Sequence, residues 1–452
     1  MPLFLCAQDI TGHWRGVLKV QSFQLHIVFN VTKTGDIYSS TMDSPDQGVS
    51  GIPVTTVTFR DSLLIIKVSN ARIEYKGKLI APNRIEGMFY QSGQTLKLNL
   101  ARDDGKSDLI KRPQEPIPPF SYYSENVKIK KNDFTISGTL TLPSKDGVYP
   151  LVILISGSGK QDRDGQVFGH KPFLVLSDYL TKSGMAVFRF DDRETGESTG
   201  DFESATTLDF AEDVDSILNY LKSRKEINKS QIGLIGHSEG GMIAPLVSVK
   251  SHDIKFIILL AAPGIPGKNL LLLQQESIGK ASGIREDELK NSRLINSGAY
   301  DIIINGIDSD SIKNALRKYF KKIVKSQENS AKLSEVEIDE LIEKQVSILS
   351  NPWLQFFIKY DPGKVLSQVK CPVLALNGKM DLQVPSNINL QAIRSNLEKG
   401  GNKKIIIREL PNLNHLFQEC ETGLPVEYNL IEQTFSPLVL EEISQWILLL
   451  VK

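Results

Sequence analysis

Six predominantly apolar runs, at 151–155, 185–190, 232–235, 256–260, 373–376 and 405–407, constrain this chain more than anything else in it. Strands buried on one face alternate apolar with polar, whereas continuous Val/Ile/Leu runs separated by helical stretches are what a parallel sheet covered on both faces requires. Two further strands are expected at 127–130 and 136–142. The second part of the chain is therefore expected to be α/β. One interval breaks the rhythm: 269–281, 286–295, 309–324, 335–349 and 353–360 all carry helical spacing, with no strand between 264 and 370. Helices inserted between two strands on the side where loops build a site suggest a cap, at about 266–365.

The first hundred residues obey a different period. Ile73, Tyr75, Gly77 and Leu79 alternate with Arg72, Glu74, Lys76 and Lys78, and Leu96, Leu98 and Leu100 with Thr95, Lys97 and Asn99. Turn residues at Thr34-Gly-Asp36, Pro82-Asn83 and Ser92-Gly93 punctuate the pattern. This predicts a meander of about eight antiparallel strands, closed into a small barrel or sandwich. Its opening, Gly12-x-Trp14-x-Gly16-x-Leu18, resembles the first strand of lipocalin-like and avidin-like barrels. Such an interior either holds a ligand or is filled by side chains, and the filled interior is the expectation. Pro113, Pro116, Pro118 and Pro119 interrupt regular structure, because proline lacks the N–H that helix and central strand both need. The expected organisation is 9–105 as the β-domain, 106–122 as a linker and 123–452 as the α/β domain.

Composition narrows the function classes. The 53 basic and 53 acidic side chains cancel and are interspersed, so no electrostatic footprint for nucleic acid is expected. Three scattered cysteines, Cys6, Cys371 and Cys420, suit neither a disulfide framework nor a Cys-ligated metal. No apolar run approaches the ~20 residues of a membrane span. Residues 1–8, Met-Pro-Leu-Phe-Leu-Cys-Ala-Gln, read as the remnant of an export signal without its charged start, so a periplasmic or extracellular location is expected and a cytoplasmic one stays open. A small-molecule site is the natural target, and composition leaves the oligomeric state open.

The chemistry is concentrated at Gly236-His-Ser-Glu-Gly-Gly241, between the run at 232–235 and a helical stretch at 242–249. Gly-x-Ser-x-Gly between strand and helix is a nucleophile elbow: the serine sits on a strained turn, and small neighbours prevent clashes. No lysine follows as in a phosphate-binding loop, which disfavours nucleotides. A serine hydroxyl needs a base and an orienting acid. Of six histidines, His13, His26, His170, His237 and His252 do not fit the chain order nucleophile, acid, histidine; His415 does. Asp381, directly after the run at 373–376, is the expected acid. Asp361 competes, but before Pro362 it reads better as a turn former. The oxyanion donors are expected to be the backbone N–H of Glu239 and one from Ser156-Gly-Ser-Gly159, with Ser158 preferred and Gly157 next. His237 is expected to pack.

With these residues in place, the chain from about 127 onward resembles an α/β-hydrolase of the serine esterase type. It is similar to a bacterial subgroup with an N-terminal β-domain and a helical cap. The matching segments are 156–165, with its Ser-Gly-Ser-Gly-x-x-Asp-Arg-Asp pattern; Arg189-Phe-Asp-Asp-Arg193 with Gly196 and Ser198; 236–241; Asn377-Gly-x-x-Asp381-x-x-Val384; and Asn414-His415. Two positions depart from it: Lys160 stands where the subgroup often has proline, and Glu194 replaces a turn glycine. Arg163 and Asp164 are either substrate contacts or an internal ion pair holding their loop. The resemblance implies a carboxylesterase without metal or organic cofactor, acting on esters of short to medium acyl chains, with acyl-enzyme chemistry at Ser238. Serine peptidase, acyl-CoA thioesterase or acyltransferase activity would use the same three residues. A ligand-binding protein with an inert hydrolase domain is the alternative of another class.

Overall fold

A computed structural model describes residues 9–451 except 21–22, 46–48, 92–93, 104–110, 132 and 327–333. The proposed signal remnant, Cys6 and the Ser92-Gly93 turn lie outside the described residues. Two compact units emerge: 1–111 with 167–169 and 425–432, and 112–166 with 170–424 and 433–452. The proline run therefore folds with the α/β unit, where a linker was expected. Its anchor is Gln114, whose Oε1 accepts the N–H groups of Thr434 and Phe435 at 2.7 and 3.0 Å while its Nε2 donates to the Phe435 carbonyl at 2.6 Å.

The first unit is one antiparallel sheet: β1 (Gly12–Val20), β2 (Phe23–Thr34), β3 (Ile37–Ser44), β4 (Val49–Pro53), β5 (Thr56–Arg60), β6 (Leu63–Val68), β7 (Ile73–Ala81), β8 (Arg84–Gln91), β9 (Gln94–Lys97) and β10 (Leu100–Asp103). The order is β4-β3-β2-β1-β10-β8-β7-β6-β5, with β9 also on β8. Ten strands appear where about eight were expected, partly because β9 and β10 are one run: both keep a single register on β8 (Met88↔Lys97, Ile85↔Leu100). The sheet curls until β3 meets β5, Tyr38 packing edge-on to Phe59 at 6.1 Å and the Val54 N–H donating to the Ser40 carbonyl. Period two sends Trp14, Phe29, Ile66, Tyr75, Ile85 and Phe89 inward, so side chains fill the interior. The Trp14 indole N–H is satisfied by the Ile10 carbonyl at 2.8 Å.

The second unit carries an eight-stranded sheet in the order β11-β12-β14-β13-β15-β16-β17-β18. Its strands are β11 (Tyr123–Lys131), β12 (Phe134–Leu142), β13 (Tyr149–Ile155), β14 (Ala186–Phe190), β15 (Ile227–His237), β16 (Ile254–Leu260), β17 (Val373–Gly378) and β18 (Ile405–Leu410). β11 and β12 are antiparallel additions, and the six apolar runs form the parallel remainder. Both faces are covered. Leu151, Ile153 and Ile155 of β13 face α2 (Thr207–Leu221), α3 (Gly240–Lys250) and α10 (Ser386–Lys399). Val152 and Leu154 face α1 (Pro172–Lys182) and α11 (Pro437–Val451). Burying each such side chain contributes about 1.5–3 kcal/mol, which is why these strands read as predominantly apolar runs and not as alternating ones.

Between β16 and β17 lie α4 (Gly267–Ala281), α5 (Glu286–Asn305), α6 (Ser309–Ser326), α7 (Glu335–Leu349), α8 (Pro352–Lys359) and the short α9 (Pro362–Leu366). The first five have their own core, built from Leu272, Tyr300, Leu316, Val346 and Ile358 among others. A second cluster, Met242, Leu270, Phe357 and Val384, joins α4 and α8 to α3 and to the segment after β17. Among the described residues no helix is long and apolar enough to cross a membrane.

Candidate active site

Parallel strands end on the same edge of the sheet, so the segments after β13, β14, β15, β17 and β18 share one rim, where ligands of open α/β sheets bind. All the chemistry-bearing segments found in the sequence follow one of these strands.

β15 ends at His237 and α3 begins at Gly240, leaving a two-residue turn. Ser238 adopts φ +53°, a left-handed conformation that costs a non-glycine residue about 1–3 kcal/mol. The turn is held by the Ser238 N–H on the Leu260 carbonyl (2.8 Å) and the Gly241 N–H on the Ser238 carbonyl (2.9 Å). Its tightness demands glycine on both sides: a Cβ on Gly236 would lie 2.0 Å from the Gly240 carbonyl oxygen, and one on Gly240 would lie 2.2 Å from that of Ile155. Glu239 is the N-cap of α3, at the helix end whose leading N–H groups have no intrahelical acceptor and which favours negative charge.

Asp381 and His415 meet in the interior. Asp381 Oδ1 accepts the N–H groups of Gln383 and Val384 at 2.8 and 2.9 Å, and Oδ2 lies 2.8 Å from His415 Nδ1. Both residues are buried. The carboxylate therefore holds the proton on Nδ1 and leaves Nε2 as the basic nitrogen. His415 is brought to the turn by its neighbour in space, His237, whose ring centroid is 4.8 Å away and whose Nε2–H donates to the His415 carbonyl at 2.9 Å. Burial drives the His237 imidazole down to about 3, and charge on His415 pushes the same way. His237 is thus a neutral donor, a part that packing alone does not describe.

The loop after β13 also reaches the serine turn. A Cβ on Gly157 would come within 3.1 Å of Ser238 Cβ, so the glycine loop packs directly against the serine turn. The Ser158 carbonyl accepts from the Gln161 side chain at 3.3 Å. Asp192 fastens the loop, accepting from Ser156 Oγ at 3.1 Å and the Gln161 N–H at 2.9 Å; burial pushes its carboxyl up to about 8.

Arg163 and Asp164 form internal ion pairs that hold their loop, the second of the two readings the sequence left open, and not substrate contacts. Arg163 meets Asp191 through Nε and Nη2 at 3.0 and 2.5 Å and also reaches Asn126 and Thr139, while Asp164 pairs with buried Arg189. Both are absorbed in tying the loop to β11, β12 and β14. The departures at 160 and 194 prove to be partners: Lys160 Nζ lies 3.0 Å from Glu194 Oε2, and Glu194 keeps a glycine-like φ of +56°. Asp361 caps α9, accepting the Gly363 N–H at 3.0 Å.

Sequence reasoning missed the Glu239 side chain. It is buried and its Oε1 accepts from Thr207 Oγ1 and from the Trp353 indole N–H of α8, both at 2.7 Å; burial raises its pKa. The residue after the serine had signalled only a backbone N–H, and nothing along the chain links position 239 to 353.

A family profile described as Hydrolase_4, serine aminopeptidase, S33, matches residues 173–399, half of the chain. The chain belongs to the S33 family. The matched segment of this S33 member contains Ser238 and Asp381 and ends before His415. Among curated relatives, esterase EstD of Thermotoga maritima is 24% identical over 333 residues, covering 72% of this chain and 69% of its own. Two solved structures are similar. An esterase of Pyrococcus furiosus covers 73% of this chain and 91% of that one at 17% identity, with a TM-score of 0.43. Est1E from Butyrivibrio proteoclasticus, with ferulic acid bound, covers 72% and 99% at 16% identity, with a TM-score of 0.41.

Proposed function

We propose that this S33 member is a serine esterase that cleaves carboxylic esters of short to medium acyl chains. The observation that carries the reading is the buried Asp381–His415 contact at 2.8 Å, with the His415 backbone held by the residue adjacent to Ser238. His415 Nε2 takes the proton of Ser238 as the hydroxyl attacks the ester carbonyl, and Asp381 orients the imidazolium that forms. The oxyanion is received by the N–H of Glu239 and one from the Gly157–Ser158 segment. Each such donor contributes about 2.7–4 kcal/mol. His415 then protonates the leaving alcohol, and water repeats the sequence on the acyl-enzyme. The helices inserted before β17 act as a cap that sets acyl size, with Phe357 and Trp353 of α8 beside Met242 of α3.

The Thermotoga relative is named an esterase, which supports an ester over an amide or a thioester. The filled interior of the first unit weighs against a ligand carrier with an inert hydrolase domain. Fluorophosphonate labelling tests the nucleophile: the wild type reacts and Ser238→Ala does not. A panel of p-nitrophenyl esters, acyl-CoA and aminoacyl anilides tests the substrate class. Preference for the anilide would replace esterase by peptidase, and an unlabelled wild type would remove the mechanism.

A further inference from the structure

A chain of buried polar side chains runs from the start of α1 to the turn that carries His415. The orientation of every amide in it is fixed by backbone groups. Asn414 Oδ1 accepts the N–H groups of Leu416 and Gln418 at 2.9 and 3.0 Å. Its Nδ2 must then be the atom that donates to Gln418 Oε1 at 2.9 Å. Gln418 Nε2 therefore carries the hydrogens; one goes to the Gln433 carbonyl at 3.0 Å and the other to His170 Nε2 at 2.8 Å. His170 must accept at Nε2, so its ring is neutral and its proton sits on Nδ1, 3.0 Å from Thr434 Oγ1. His170, Asn414, Gln418 and Thr434 are all 0% exposed.

The chain ends on both neighbours of the proposed base. Asn414 precedes His415 and its side chain holds the N–H of Leu416, which follows it. The Asn414 N–H closes the turn on the Gln418 carbonyl at 3.0 Å. His237 holds the His415 carbonyl. We propose that His170 is a positioning residue for His415, acting through Gln418 and Asn414 to fix the backbone from which the imidazole reaches Ser238. The proposal rests on the serine-hydrolase reading. It follows from the sensitivity of proton transfer to placement, since a shift of about 1 Å in a reacting group costs up to about 100-fold in rate. Without an acceptor at position 170 the Gln418 amide rotates to find another, and the Asn414 turn goes with it.

The test is a double-mutant cycle on the full chain with a p-nitrophenyl ester. His170→Phe keeps the ring and removes both nitrogens; Gln418→Met keeps the shape and removes the amide. Each is expected to lower kcat about tenfold with KM unchanged and to slow fluorophosphonate labelling in parallel. The double variant is expected to be no slower than either single one, because both break the same chain. His170→Gln, which can present an amide oxygen to Gln418, is expected to recover most of kcat; a purely volume-filling role would give no such recovery. Wild-type kcat and labelling in both single variants, or losses that multiply in the double, would overturn the proposal. Should His170→Phe not fold, Gln418→Met and His170→Gln decide it alone: full activity in Gln418→Met rejects it. A wild type that neither labels nor turns over any ester counts against the serine-hydrolase reading, which these variants do not address.

Discussion

The indole N–H of Trp353 donates to the Glu239 carboxyl at 2.7 Å, so the helical insertion is fastened to the residue that follows Ser238. Thr207 holds the same oxygen from α2, and both donors are needed to keep a buried carboxyl satisfied. Trp353→Phe retains a ring against Phe357, 5.3 Å away in the wild type, and deletes the N–H. It is expected to cost about 1–3 kcal/mol in urea unfolding and to speed amide hydrogen exchange across α8. Unchanged exchange there would mean that the insertion is held by its apolar contacts instead.

Asp381→Asn tests the proposed mechanism in a protein that stays folded. An amide can still accept the Gln383 and Val384 N–H groups but no longer fixes the proton on His415 Nδ1. The expected result is a kcat on p-nitrophenyl esters lower by about 10³–10⁴-fold, with the melting temperature little changed. A loss below tenfold would point to another acid.

The Asp192 carboxyl, lifted by burial to about 8, ties stability to pH. Between its unfolded value near 4 and about 8, the folded state keeps a proton that the unfolded chain releases, so stability from this group falls as pH rises through that window. Asp192→Asn removes the titration. Its melting temperature relative to wild type is expected to climb from pH 4 to pH 8 and then level off; a flat difference would show that Asp192 is ionised in the fold.

His237 has the opposite shift. Its imidazole falls to about 3 on burial, so the unfolded chain binds the proton first and stability falls as pH drops from about 6.5 toward 3. His237→Asn can still donate to the His415 carbonyl and does not titrate. The melting-temperature gap between wild type and variant should therefore shift in the variant's favour on acidification across that range; a gap independent of pH would contradict a buried neutral His237.

Much of the candidate site was legible because its residues follow strands whose apolar runs announce themselves. Ser238, Asp381 and His415 lie just past β15, β17 and β18, and chain order sorted the histidines. Asp361 likewise behaved as its place before Pro362 indicated. The Glu239–Trp353 and His170–Gln418 contacts left no trace, since they are single hydrogen bonds between residues 114 and 248 positions apart. Polar residues at such separations carry no periodicity. The proline run misled for a related reason: lacking N–H groups, it cannot form regular structure, yet Gln114 within it anchors through its side chain.

What the sequence determined by itself is the sheet, because burial on two faces writes itself as predominantly apolar runs, and the serine turn, because only glycine fits at positions 236 and 240. The tertiary structure decided which polar side chains are used up internally, as with Arg163 on Asp191, and which hold the backbone of the candidate site, as with His237 on His415. Those outcomes depend on distances of about 3 Å between hydrogen-bonding atoms, which are set only when separate strands and loops have packed.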